Sequence, residues 1–405
     1  MKFQHYNIVS GMDAIKQRLL ENLRDSQYAG YDPFDGLNSR LLKMSGLDRS
    51  SFVRLAWIQL FKQAPVNLRP LVGVPKCRNP KGIALIILGM LQDYARTNDQ
   101  AIFEEAKYLG EWLLEHGCSR DVWKHDCWGY PFPWQSRAFF VPIGTPNIIT
   151  TCYVARALWA LRQATGLGHY SDAACDAAWF IAESLYVQHD GRHFLAYIPG
   201  ETTFVHNANL WGAAVLAQAY RETGKDELAD MAYEVAMQSM HEQHSDGHWP
   251  YGERSHHKFI DSFHTGYNLE ALNIVRQQLN TEEFDVSIGL GMQYYRTHFF
   301  LEGGTPKYYH NTIYPIDMHS AAQAVLTLSR VGGTAEDYAI VHKVIDWAVK
   351  HMYCQKTGWF YYQIHRNYRN KIPYLRWTQA WAYLALTTYS LMRSPSNLRQ
   401  RGGND

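Results

Sequence analysis

Residues able to do acid–base or ionic chemistry recur at matched places in this chain. His206, Asp261, Asp317 and Arg376 each fall at the end of a short extended piece (FVH, FID, YPID and YLRW). One turn further on stand Asn209, His264, Ser320 or His319, and Gln379. Two carboxylates such as Asp261 and Asp317 suit a general acid and a general base. A histidine moves protons near neutral pH, and an arginine neutralises an acidic group. Helix N-capping accounts for Asp261 and Asp317 taken alone. It does not account for His206, His264, His319 and Arg376, so a polar, titratable site is expected where these residues meet.

Other candidates surround them. The turn-rich GYDPFDGLNS carries Asp32, Asp35 and Asn38, either as a plain Pro/Gly/Asp turn or as an acidic loop reaching the site. Arg69 and Lys76 lie before an apolar helix and could hold an acidic group. Aromatic residues cluster in the same loops: Trp128, Tyr130, Trp134 beside Arg137, Trp249, Tyr251, Tyr308, Trp359, Tyr361 and Trp377. Part of this set must pack the core, and the rest would offer flat faces to sugar rings. His116, Cys118, His125 and Cys127 have zinc-ligand chemistry but no common zinc spacing, so no metal is assigned. No phosphate-cradling glycine loop, dinucleotide fingerprint, HExxH or G-x-S-x-G occurs, and no cofactor is expected.

The elements that must position these residues repeat. Apolar, Ala- and Leu-rich helices start near Lys81, Thr150, Asn207, His264, Met318 and Thr378. The later starts are spaced by about 57 residues and the first spacing is about 69. Turn signals end several of them, at Thr165-Gly166, Thr223-Gly224, Asn280 and Gly332-Gly333. More charged, one-faced helices are expected at about 50–62, 101–117, 170–187, 226–243, 281–298 and 335–352. Six outer and six inner helices make an all-α, closed (α/α)6 barrel, or toroid, with short β-hairpins in the loops at one mouth. Helix N-termini and the candidate residues converge at that mouth. The expected layout is an N-terminal helical extension with the DPFDG loop (1–49), the toroid (50–393) and a polar tail (394–405).

Composition narrows the partners. Lys plus Arg is 39 and Asp plus Glu is 38, so the net charge is +1 and supplies no overall field for nucleic acid. The first ten residues hold no apolar run of signal-peptide length, no run in the chain is long enough to span a membrane, and the six cysteines are scattered. A soluble cytoplasmic protein without membrane insertion is expected. Aromatics make up 14% of the chain; they can fill a core or stack on sugar faces, and their loop positions divide them between the two roles.

The sixfold hairpin, aromatic loops and polar inner-helix starts resemble the six-hairpin glycosidase superfamily. That group includes glycoside hydrolases, (α/α) polysaccharide lyases and N-acylglucosamine 2-epimerase-like enzymes. GYDPFDGLNS, NLRPLVGVPKCRNPKG and IDSFHTGYNLEAL look like proteins found with bacterial exopolysaccharide and capsule genes. The resemblance implies an oligo- or polysaccharide substrate and association with polysaccharide synthesis machinery, and assigns no catalytic residue. Hydrolysis comes first among the expected reactions, with Asp261 and Asp317 as the carboxyl pair, Asp32 or Asp35 as substitutes, and His264 tuning a neighbour. A lyase or a sugar epimerase (uronate C5- or 2-epimerase) would instead use His206 or His264 as base and Tyr251 or Tyr308 as acid. Asn209 and Arg376 would then hold a carboxylate. A non-catalytic glycan-binding subunit is the third reading, and a zinc or isoprenoid enzyme on a related barrel the fourth.

Overall fold

The computed structural model describes residues 2–135 and 140–394. Six inner helices form a ring: Pro80–Thr97, Ile148–Thr165, His206–Thr223, Ser262–Leu279, Met318–Thr327 and Ala380–Met392. Each packs on the next, and the last packs on the first, so the ring is closed. Side chains of Asn79, Asn147, Asp261 and Asp317 cap four of the N-termini, accepting from N–H groups of the first turn. Left-handed residues end the helices at Asn98, Gly166, Gly224, Asn280 and Gly333.

The outer helices are Gln100–Glu115, Gly168–Leu185, Asp226–His241, Asp285–Phe299 and Ala335–Met352, each beside the inner helix it follows. The sixth departs from the sequence expectation. Helix Lys2–Asp25 packs on the last inner helix and takes the outer position there. Arg24 ties it to Glu105 at 2.6 Å on one side, and Asn22 donates to the Thr357 carbonyl on the other. The helix expected near 50–62 is present as Ser51–Gln63, but it lies against the short helical turns Asp35–Asn38 and Leu47–Arg49 rather than in the outer layer. Residues 26–79 thus form a cap laid on the ring.

The mouth loops are stitched together in one pattern. The N–H at the start of an inner helix donates to the carbonyl of a tyrosine in the following repeat. Ile148 bonds Tyr197 (3.0 Å), His206 bonds Tyr251 (3.3 Å), Ser262 bonds Tyr308 (2.9 Å), and Met318 bonds Tyr362 (3.2 Å). Leu375 closes the series on Tyr31 of the cap (3.1 Å). Each bond satisfies an N–H that a helix start leaves unpaired. Short hairpins form in the mouth loops, Trp134–Gln135 with Phe140–Val141 first and Gln363–Ile364 with Arg369–Asn370 last, while the loops between them pair differently from the sequence expectation. Arg192–Leu195 pairs backwards with Tyr186–His189, while Val205, Asp261 and Asp317 pair with Gly252, Tyr309 and Gln363 of the next loop.

The ring axis is filled. Each inner helix sends in one buried side chain: Lys81, Tyr153, Trp211, Tyr267, His319 and Trp381, none more than 3% exposed. The Lys81 ammonium sits 4.5 Å from the Tyr153 ring centre, 5.2 Å from Tyr267 and 5.4 Å from Trp381. It donates to the Tyr267 hydroxyl, which is 2.7 Å from His319 Nε2. Such cation–π contacts offset part of the desolvation of a buried ammonium. Burial still drives the Lys81 pKa well down from its ordinary value.

Candidate functional site

A cavity of about 270 Å³ opens above this plug. Tyr130 and Trp134 from the first hairpin, Tyr197 and Tyr251 from the stitched loops, and Trp377 and Phe34 supply its aromatic wall. The Tyr130 and Tyr197 hydroxyls are 3.3 Å apart. Its charged and titratable wall consists of His264, Arg376, Glu201, Arg254, His256 and His257.

His264 is held by Asp261. The Asp261 carboxylate accepts the His264 backbone N–H through one oxygen (2.8 Å) and meets Nδ1 through the other (2.7 Å). The cap thus doubles as an orienting group. With the proton on Nδ1, Nε2 is left as the basic nitrogen of a ring whose side chain is 20% exposed. The Tyr251 ring lies 4.6 Å from it, centre to centre.

Arg376 grips Asp32 with two hydrogen bonds, of 2.5 and 2.8 Å, and covers the Tyr130 ring at 4.9 Å. Both side chains are at most 5% exposed. This fork joins the cap to the sixth inner segment and brings a guanidinium to the cavity wall. Glu201 bonds Arg254 at 3.1 Å and accepts from the N–H groups of Thr202 and Thr203.

Several expected site residues lie elsewhere. Asp317 is fully buried behind Trp377, accepting from Gln363, the His319 N–H and the Trp377 indole; burial pushes its pKa up to about 7. It is not on the cavity wall. His206 is buried against Ser239, and burial lowers its pKa to about 3. Asn209 spends its amide on Leu195, Val235 and Ser239. Asp35 and Arg69 pair with each other at 2.5 Å inside the cap, where Arg69 also donates to Tyr374 and to the Asp32 carbonyl. That cluster braces the cap. Lys76 is exposed on its outer side, near the Tyr31 ring.

Trp128 and Trp249 are core residues, each donating its indole N–H to a carbonyl, of Leu113 and Ser239. His319 belongs to the axial plug. Tyr308 packs edge-on against Phe263 behind the wall, and Trp359 and Tyr361 lie in a loop outside it. Arg137 and the tail from 395 onward fall outside the described residues. The zinc ligand set is not assembled: His125 bonds Asp176 and His116 bonds the Trp112 carbonyl.

The wall also includes residues that the sequence did not single out: Phe34, Tyr197, Glu201, Arg254, His256 and His257. The tyrosines of the stitched loops recur once per repeat, which is a legible signal. Glu201 and Arg254 are separated by 53 positions and meet only through the fold.

No protein-family model and no curated protein matches the chain. Solved structures do match it. Cellobiose 2-epimerase from Bacillus thermoamylovorans B4167 aligns at 10% identity over 96% of this chain and 100% of that one, with a TM-score of 0.67. An unsaturated glucuronyl hydrolase specific for heparin aligns at 12% over 94% and 97%, with a TM-score of 0.63. A D-mannose isomerase aligns at 13% over 78% and 87%, with a TM-score of 0.58. At these identities the likeness is one of architecture, and it establishes the fold as an (α/α)6 toroid.

Proposed function

We propose that the protein is a carbohydrate-active enzyme that moves a proton on the carbon skeleton of a sugar, as an epimerase or isomerase does, with His264 as the base. The Asp261–His264 pair on an aromatic-walled cavity carries this reading. An imidazole fixed through Nδ1 presents Nε2 as a base, suited to a C–H made acidic by a neighbouring carbonyl. As that proton leaves, negative charge grows on the carbonyl oxygen. The Arg376 guanidinium and the tyrosine hydroxyls are the donors available to stabilise it. Return of the proton to the other face gives an epimer, and return to the adjacent carbon gives an isomer. The aromatic rings suit the C–H faces of a sugar, and the names of the similar structures belong to the same chemistry.

Paired-carboxylate hydrolysis fits this cavity less well. Such hydrolysis needs two carboxyls flanking the bond. Among the described residues on the wall, Glu201 is the one carboxylate, and Arg254 already engages it. Asp261 is committed to His264, and Asp317 is sealed behind Trp377.

The test is solvent exchange. Candidate aldoses and ketoses are incubated with the protein in D2O and the C–H signals are followed by NMR. Deuterium is expected at the carbon beside the carbonyl. His264→Ala should slow that exchange by about 10²–10⁴-fold. Cleavage of an oligosaccharide with His264→Ala unimpaired would refute the proposal. An unsaturated uronate product would assign the same base to a lyase.

A further inference from the structure

The outward side of the cap combines two features that soluble surfaces keep apart. The first is apolar exposure. Leu41 is 55% exposed, Met44 86%, Leu47 57%, Phe52 78%, Leu60 50% and Leu71 81%. Isolated cases of this kind are ordinary, whereas a group of them on touching elements is not. On helix Ser51–Gln63 the inward positions are Ile58 and Phe61, and Phe52, Ala56 and Leu60 form an apolar stripe at i, i+4 and i+8 on the solvent side. Leu41 and Met44 share a face of helix Arg40–Ser45, one turn apart. The turn Leu47–Arg49 joins these two helices, and the turn Pro70–Val72 packs on the first of them.

The second feature is charge. Residues 40–78 hold eight Lys and Arg against one acidic residue, Asp48. The rest of the chain holds 31 Lys and Arg against 37 Asp and Glu, so the near-zero total conceals a strongly basic segment. Arg40, Lys43, Arg49 and Lys76 are exposed. Among the described residues none of these four pairs with a carboxylate; Lys43 bonds only the Asn38 amide oxygen.

We propose that this face docks the protein on an anionic lipid surface. Exposed Leu, Met and Phe side chains enter the boundary between headgroups and acyl chains, and flanking Lys and Arg meet the negative headgroups. Charge complementarity favours a bilayer over a second copy of this chain, because two such faces would bring like charges together. The attachment is peripheral, since no helix among the described residues is long and apolar enough to cross a membrane. It is independent of the reaction proposed above. It would hold the mouth, which the cap partly roofs through Phe34, close to the membrane plane.

The experiment is co-sedimentation of the full chain with phosphatidylcholine vesicles, with and without about one-third phosphatidylglycerol. The protein should pellet with the anionic vesicles only, and less so as salt is raised. Arg40→Glu/Lys43→Glu/Arg49→Glu should weaken binding by on the order of a hundredfold or more, since each cation near the surface contributes about fivefold. Met44→Ser/Phe52→Ser/Leu71→Ser should weaken it as well. Circular dichroism and gel filtration check that both variants remain folded. No pelleting with anionic vesicles, or equal pelleting of both variants, would overturn the proposal. A self-association abolished by the apolar substitutions, without vesicle binding, would assign the face to a second copy. Binding to an acidic polysaccharide but not to vesicles would also overturn it.

Discussion

The ring and the cap are built on opposite plans. The ring hides its apolar side chains, down to helices such as His206–Thr223 in which 13 of the 18 residues are buried. Its close packing shows at Gly212, where a Cβ would come within 2.4 Å of Leu195 and 2.7 Å of Ile148. The cap shows much of its apolar surface to solvent, and beside the packing of Tyr31 and Phe34 on the ring it is anchored by polar bonds. These are the Arg376–Asp32 fork, the Arg69–Asp35–Tyr374 cluster and the Leu375–Tyr31 backbone bond. The contrast separates what makes the barrel stable from what completes its mouth. Buried apolar area dominates the first, and a few desolvated charges fix the second.

The comparison can be broken at its strongest point. Trp211→Ala in the plug should cost about 3–5 kcal/mol in global unfolding, read as a shifted denaturant midpoint, because the closed ring cannot collapse into the space. Asp32→Ala should carry a similar cost of about 3–5 kcal/mol by leaving the Arg376 charge buried and unpaired. Hydrogen exchange should place that loss in residues 26–79 first, with the inner helices still protected. Uniform loss of protection across the ring would show that the cap is not a separate layer.

Acid should act on the ring through His206. His206 is held neutral to about pH 3, against about 6.5 in an unfolded chain. The unfolded state therefore binds the extra proton between these values. The His206 contribution is complete above about pH 6.5 and is lost as the pH falls toward 3. His206→Gln should flatten stability against pH over that window in urea titrations. Asp317, raised to about 7, runs the other way: its native proton favours folding at low pH, and that advantage fades as the pH rises from about 4 to 7. The smallest effect belongs to Phe52→Ser, which should change stability by less than about 0.5 kcal/mol. A larger loss would mean that this exposed ring is packed against something in the folded chain.

The period of the apolar helices made the toroid legible, because inner helices repeat their composition every turn of the ring. The sixth outer helix was not legible. Lys2–Asp25 meets a partner more than 350 positions away, and no local pattern announces that. Matched positions located His264 and Arg376 on the wall but also nominated His206 and Asn209. Equivalent places in the repeats do not face one point: some turn toward the cavity and others toward the outer helices. Aromatic content was equally ambiguous. Trp128 and Trp377 read alike in sequence, yet one gives its indole N–H to a core carbonyl, and the other lines the cavity and gives its indole N–H to Asp317 buried behind it.

The axial plug has a consequence for traffic. Trp211, Trp381, Tyr153 and Tyr267 close the barrel around Lys81, so the chamber is a cul-de-sac. Whatever enters must turn round and leave by the same door. For the reaction proposed above, departing product and arriving substrate would share one passage, which the cap helps to frame.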